Sequence, residues 1–95
     1  MSTLTVFTPL YNRINTLKRT YESLKRQTSK DFVWLIIDDG STDNSKELIM
    51  SYEKQFKDRG FSFEYYYHDN LGLGATIAEG IKYVKGSYLV WPDVE

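Results

Sequence analysis

The run Phe32 to Asp38, FVWLIID, is the feature that most limits what this chain can become. It is apolar almost without interruption, then closes on two adjacent acids, Asp38 and Asp39, followed by Gly40 and a string of small polar residues. A strand wetted on one face alternates polar and apolar side chains. A near-continuous apolar run belongs instead to a central strand covered on both faces. Such a strand requires layers above and below it.

The rest of the chain supplies them. LTVFT (Leu4 to Thr8) is short, apolar and β-branched, and Pro9 then interrupts it. From Ile14 to Thr28, the residues Ile14, Leu17, Tyr21 and Leu24 fall at the three- and four-residue steps of one helix face. Leu48, Ile49, Tyr52 and Phe56 mark a second helix, with Gly60 as its stop. FSFEYYYH (Phe61 to His68) is rich in strand formers. A third helix follows, with Ile77, Ala78, Ile81 and Val84 expected inward and Gly86 near its end. SYLVW (Ser87 to Trp91) is a fourth strand, stopped by Pro92. The alternation β-α-β-α-β-α-β predicts parallel strands joined by right-handed crossovers, an α/β sandwich. The chain stops just after a strand, in WPDVE, which leads us to expect the N-terminal part of something longer.

Composition removes several classes. A hydrophobic content of 41% supports a core and argues against disorder. A net charge of −1 gives no electrostatic ground for a nucleic-acid or anionic-membrane surface. With no cysteine and His68 as the single histidine, disulfides, thiolate zinc sites and histidine-rich metal sites are out. No apolar run approaches the ~20 residues of a membrane span. The start MSTLTVFTP lacks the basic segment and long apolar core of a signal peptide. The expected location is the cytoplasm, with room for a parent protein held at the inner face of the membrane.

Ligands of open parallel sheets bind beyond the carboxyl ends of the strands. That rule gathers Thr8, Pro9, Tyr11 and Asn12 after the first strand and Asp38, Asp39, Gly40 and Ser41 after the second. It adds His68, Asp69, Asn70 and Gly72 after the third, and Asp93 and Glu95 after the fourth. An edge this acidic suits a divalent cation bridging carboxylate to phosphate. It equally suits the hydroxyl and N–H donors of a nucleoside. Gly40 allows a tight turn, and Ser41, Thr42 or Asp43 can cap the second helix. NLGLGAT (Asn70 to Thr76) contains G-x-G, but Ile77 stands where a dinucleotide fingerprint has its third glycine, and the motif follows the third strand rather than the first. A turn with Asn70 or Gly72 in a left-handed conformation accounts for it. His68 reads as a strand-end residue and the tyrosines at 65 to 67 as strand packing. The basic cluster Lys18, Arg19, Lys25 and Arg26 reads as a solvated helix face.

TPLYNR, QTSKDFVWLIIDDGSTDNS and DNLGLGATIAEGIKYVKGSYLVWPD, in this order and at this spacing, resemble the N-terminal half of a family 2 glycosyltransferase with the GT-A fold. The resemblance covers nearly the whole chain. It implies a three-layer sandwich with strand order 3-2-1-4 and residues 1–95 as the nucleotide-sugar-binding part, the acceptor half being absent. It also implies a nucleotide-sugar donor, usually a uridine diphosphate sugar, and transfer to an acceptor glycan, lipid or protein with inversion at the anomeric carbon. Carried over by position, Pro9, Tyr11 and Asn12 lie beside the nucleoside. Asp39 accepts the base N–H, and Asp38 supports the loop or the ribose. Asp93 matches the first acid of the family's D-x-D motif for Mg²⁺ or Mn²⁺. Glu95 takes the place of the second, departing from the usual aspartate. Glu79 stands where the family often has asparagine. The catalytic base that deprotonates the acceptor is expected beyond Glu95. A phosphoacceptor signalling domain would place its acidic pair after the first strand and require a fifth. A nucleotide-binding module without chemistry is the other alternative. The fourth strand, left as an open edge, is expected to mediate self-association.

Overall fold

The structure, a computed structural model, describes residues 4–27, 31–84 and 87–90. Its elements are β1 (Leu4–Leu10), α1 (Ile14–Lys25), β2 (Phe32–Asp39), α2 (Ser45–Asp58), β3 (Ser62–His68), α3 (Leu73–Ile81) and β4 (Ser87–Val90). The four strands form one parallel sheet in the order β3-β2-β1-β4. The path moves from β1 outward to β3 and then returns past β1 to β4. Right-handed crossovers therefore send α1 and α2 to one face of the sheet and α3 to the other.

Packing follows this division. On the first face Leu17, Tyr21 and Leu24 of α1 and Ile49, Tyr52 and Phe56 of α2 close over Val6, Leu10, Trp34, Ile36 and Phe63. Trp34 is fully buried at the centre, with the rings of Tyr21, Tyr52, Phe56 and Phe63 around it. Its indole N–H donates to Thr8 Oγ1 at 3.0 Å, which satisfies the one polar atom that such burial would otherwise strand. On the second face Phe7, Leu35 and Ile37 are covered by Ile77, Tyr83 and Val84, with Tyr66 alongside. The uninterrupted apolar run of β2 is thus covered on both sides.

Two expectations need correction. Pro9 does not end β1, which continues to Leu10. β4 pairs with Leu4 to Phe7 only, so at Pro9 the strand has β2 on one side and no ladder that needs the missing N–H on the other, among the described residues. The second concerns the inner face of α3. Ile77 and Val84 pack inward as expected, but Ala78 is exposed and Ile81 is 49% exposed, while Thr76 and Gly80 are the buried positions. A Cβ on Gly80 would lie 2.2 Å from Phe7 Cζ, so the helix backbone descends directly onto that ring. The centre of the contact is a residue with no side chain, which an apolar periodicity does not register. The basic cluster agrees with its reading: Lys18, Arg19 and Arg26 are exposed, and Lys25 pairs with Glu22 at 3.0 Å.

Candidate functional site

Asp38 and Asp39 are neighbours in sequence but not in space. Successive strand side chains point to opposite faces, so Asp38 lies on the α1/α2 side and Asp39 on the α3 side. The like-charge cost that an acidic pair would carry is avoided by the pleat itself. Each carboxylate has its own set of donors.

Asp38 is fully buried. Its Oδ1 accepts the Ser41 N–H at 2.9 Å, which closes the β2–α2 turn. Its Oδ2 accepts the Tyr65 hydroxyl at 2.8 Å, which ties β2 to β3. Burial, followed by this bond to Asp38, pushes the Tyr65 hydroxyl well above its ordinary pKa and keeps it a donor.

Asp39, 4% exposed, ties down the loop between β3 and α3. Oδ1 accepts the Leu71 N–H at 2.8 Å and Oδ2 the Gly72 N–H at 3.1 Å. His68 Nε2 lies 2.9 Å from Oδ1. The carboxylate also sits at the start of α3, where the helix dipole favours negative charge. This explains NLGLGAT: the loop amides that a phosphate cradle would use are given to an internal carboxylate, and Gly72, with φ +95°, sets the entry to the helix. Gly40 has φ +78°, and a Cβ there would meet Asn70 N at 2.8 Å, so the two loops touch through the glycine.

Asn12 closes the third side. It adopts φ +49°, a left-handed conformation asparagine tolerates. Its Oδ1 accepts the N–H groups of Thr42 (2.7 Å) and Asp43 (3.2 Å), and its own N–H donates to Ser41 Oγ at 3.0 Å. Asp43 in turn accepts the N–H and hydroxyl of Ser45 at the head of α2. The N-cap of α2 is Asn44, which makes no side-chain capping bond, so none of Ser41, Thr42 and Asp43 is the cap; Asp43, one residue earlier, braces the first turn through Ser45. Pro9 is half-buried at the end of β1, and the Tyr11 ring is 47% exposed on the loop after it.

The structure thus brings Pro9, Tyr11, Asn12, Asp38 and Asp39 to one edge. Asp93 and Glu95 lie outside the described residues. Among the described residues no group of three or more His, Asp or Glu side chains is arranged to hold a metal. Asp38 and Asp39, on opposite faces and each engaged by N–H or O–H donors, do not fit a shared cation. The contact of His68 with Asp39 and the bond from Tyr65 to Asp38 are not visible in the sequence. A signal existed in principle: Asp39 and His68 are register partners in adjacent strands, but that requires the pairing to be known.

β1 is where the strand order reverses, between β2 and β4, and its carboxyl end is the topological switch point at which open α/β sheets take ligands. The edge described above flanks it. A groove lined by Tyr21, Lys25, Arg26, Gln55, Asp58 and Arg59 lies at the other end of the sheet, between the C-terminal ends of α1 and α2. It is remote from the switch point.

The family model of glycosyl transferase family 2 matches residues 5–94, and the chain belongs to that family. An uncharacterized glycosyltransferase of Rickettsia typhi is 31% identical over 88 residues, 93% of this chain and 26% of that protein. The glycosyltransferase GlyA of Streptococcus pneumoniae is 32% identical over 90 residues, 95% of this chain and 12% of that protein. The chain therefore spans about a quarter and about an eighth of these relatives. A mannosyltransferase from Pyrobaculum calidifontis, solved in complex with GDP-Man and Mn²⁺, superposes with a TM-score of 0.79 at 16% identity, over 97% of this chain and 29% of that one. The GT-A sandwich with strand order 3-2-1-4 is thereby the fold of this chain. No helix among the described residues is long and apolar enough to cross a membrane.

Proposed function

We propose that residues 1–95 form the donor-binding part of an inverting glycosyltransferase that takes a uridine diphosphate sugar in the cytoplasm. The observation that carries this reading is the clasp of the loops after β1, β2 and β3 around Asn12 and Asp39, beside the switch point. Such a clasp fixes a nucleoside cradle before the ligand arrives, which lowers the ordering cost of binding. Within it Pro9 and Tyr11 flank the nucleoside, and Asn12 and Asp38 hold the loop walls. Asp39 accepts the base N–H. A carboxylate offers roughly four lone-pair positions, and two N–H donors occupy Asp39. Acceptor capacity is left for the base. Asp93 and Glu95 would hold Mg²⁺ or Mn²⁺, whose chemistry when bound is to offset charge on the departing diphosphate. The neighbour solved with GDP-Man and Mn²⁺ supports a nucleotide-sugar donor and a divalent metal. The acceptor site and catalytic base are expected beyond Glu95, as the resemblance to the family implies. Attachment of the parent protein to the inner face of a membrane is compatible with the reading.

Calorimetric titration of UDP and GDP into the 95-residue chain, with and without Mn²⁺, tests this. Saturable binding that prefers UDP and tightens with Mn²⁺ is expected, without sugar transfer to any acceptor. Failure of both nucleotides to bind removes the reading.

The outer edge of β4 has no strand partner among the described residues. A second copy of the chain can pair there. Sedimentation at rising concentration should show association, and a strict monomer would refute this contact.

A further inference from the structure

His68 has no part in the reading so far, yet it is built into the site. It ends β3 opposite Asp39, and the shared register puts both side chains on the α3 face. Its Nε2 lies 2.9 Å from Asp39 Oδ1 and 3.2 Å from Thr76 Oγ1. A carboxylate only accepts, so the Nε2 beside it carries the hydrogen, and that hydrogen is directed at Thr76 Oγ1, with Asp39 Oδ1 alongside. The Thr76 hydroxyl donates to Gly72 O at 3.0 Å, which leaves its lone pairs facing the imidazole N–H. Both side chains of the pair are sheltered, at 18% and 6% exposure. The ring is therefore a strut between the strand end, the buried Thr76 of α3 and the Asp39 carboxylate.

We propose that His68 is a positioning residue of the nucleotide site, its imidazole, anchored on Thr76, holding the adjoining Asp39 carboxylate in place so that an acceptor position stays available to the nucleoside. The proposal rests on the reading that Asp39 receives the base. A side chain that binds ligand loses affinity when its own orientation is left free. The Leu71 and Gly72 amides hold one oxygen each. They come from a loop that is also tied by Asn70, whose Nδ2 donates to Asp39 O, and by Thr76, whose hydroxyl donates to Gly72 O. Losing the imidazole donor should loosen carboxylate and loop together.

The test uses two replacements of similar length, His68→Gln, which keeps an N–H donor, and His68→Met, which does not. UDP affinity should fall about tenfold in His68→Met, the scale of one charge-assisted hydrogen bond, and stay within about threefold of wild type in His68→Gln. In the nucleotide-free protein, amide exchange at Leu71 and Gly72 should accelerate in the Met variant alone. If both variants match wild type in affinity and exchange, the proposal is wrong. Equal losses in both would also overturn it, because the ring and not the donor would then matter. Should wild type bind neither UDP nor GDP, the nucleotide reading falls by itself. Exchange at Leu71 and Gly72 then decides the His68 strut: selective acceleration in the Met variant supports it, and equal rates refute it.

Discussion

Asp39→Asn is expected to weaken UDP binding by roughly ten- to a hundredfold, corresponding to about 1.5–3 kcal/mol for a hydrogen bond to a charged group. Two effects act in the same direction. The amide lacks the charge that strengthens the contact to the base N–H. Its NH₂ group must also face one of the donors now on the carboxylate, the Leu71 N–H or the Gly72 N–H. Either way a buried donor meets a donor, and the β3–α3 loop loses an anchor. The variant should therefore show faster amide exchange at Leu71 and Gly72 as well as lower affinity, with helix and sheet content retained. Calorimetry and exchange on the same sample check both. Wild-type affinity in this variant would remove Asp39 from the site.

Trp34→Ala is expected to destabilise the fold by about 3–5 kcal/mol, the range for deleting a large buried aromatic. Trp34 is fully buried on the central strand and touches rings from α1, α2 and β3. The rings around it are held by further rings, Tyr21 stacked on Tyr52 at 3.7 Å and Phe56 tilted against Phe61 at 4.9 Å, so they cannot collapse freely into the space left behind. Small domains have only ~5–15 kcal/mol of stability in total, and this one change consumes much of it. Urea unfolding should show the midpoint falling with little change in slope. A loss below about 1 kcal/mol would mean that the indole is not the keystone of the first core. The replacement Trp34→Phe should cost less, since it keeps a ring, loses the bond to Thr8 Oγ1 and leaves only a smaller cavity.

The elements were legible in the sequence because their physical causes are local. The stripe Leu17, Tyr21, Leu24 and the stripe Ile49, Tyr52, Phe56 repeat at helical spacing and are the buried faces of α1 and α2. The apolar run of β2 announced a strand covered on both faces. Strand order was different: alternation implies parallel strands, but the position of β4 beside β1 came from the resemblance to family 2 glycosyltransferases. The inner face of α3 was misjudged because its closest contact is Gly80 on Phe7, a matter of backbone approach that hydrophobic spacing cannot express.

The site was legible as a location and less so as a set of contacts. The carboxyl ends of parallel strands gather Asn12, Asp38 and Asp39 by topology alone. Reading the two acids as one feature overlooked the period of two, which places them on opposite faces. Their partners, Tyr65 for one and His68 with two loop amides for the other, sit in β3 and the loop beyond. Those pairings depend on register, and register is fixed by the packing of the whole sheet.

The claim that nucleotide binds at the switch-point edge is tested most directly by assigned amide spectra of the 95-residue chain titrated with UDP. Saturable shifts are expected at Asn12, at Asp39 to Thr42, and at Leu71 and Gly72. Shifts confined to Lys25, Arg26, Gln55 and Arg59, in the groove at the opposite end of the sheet, or no shifts at all, would contradict it.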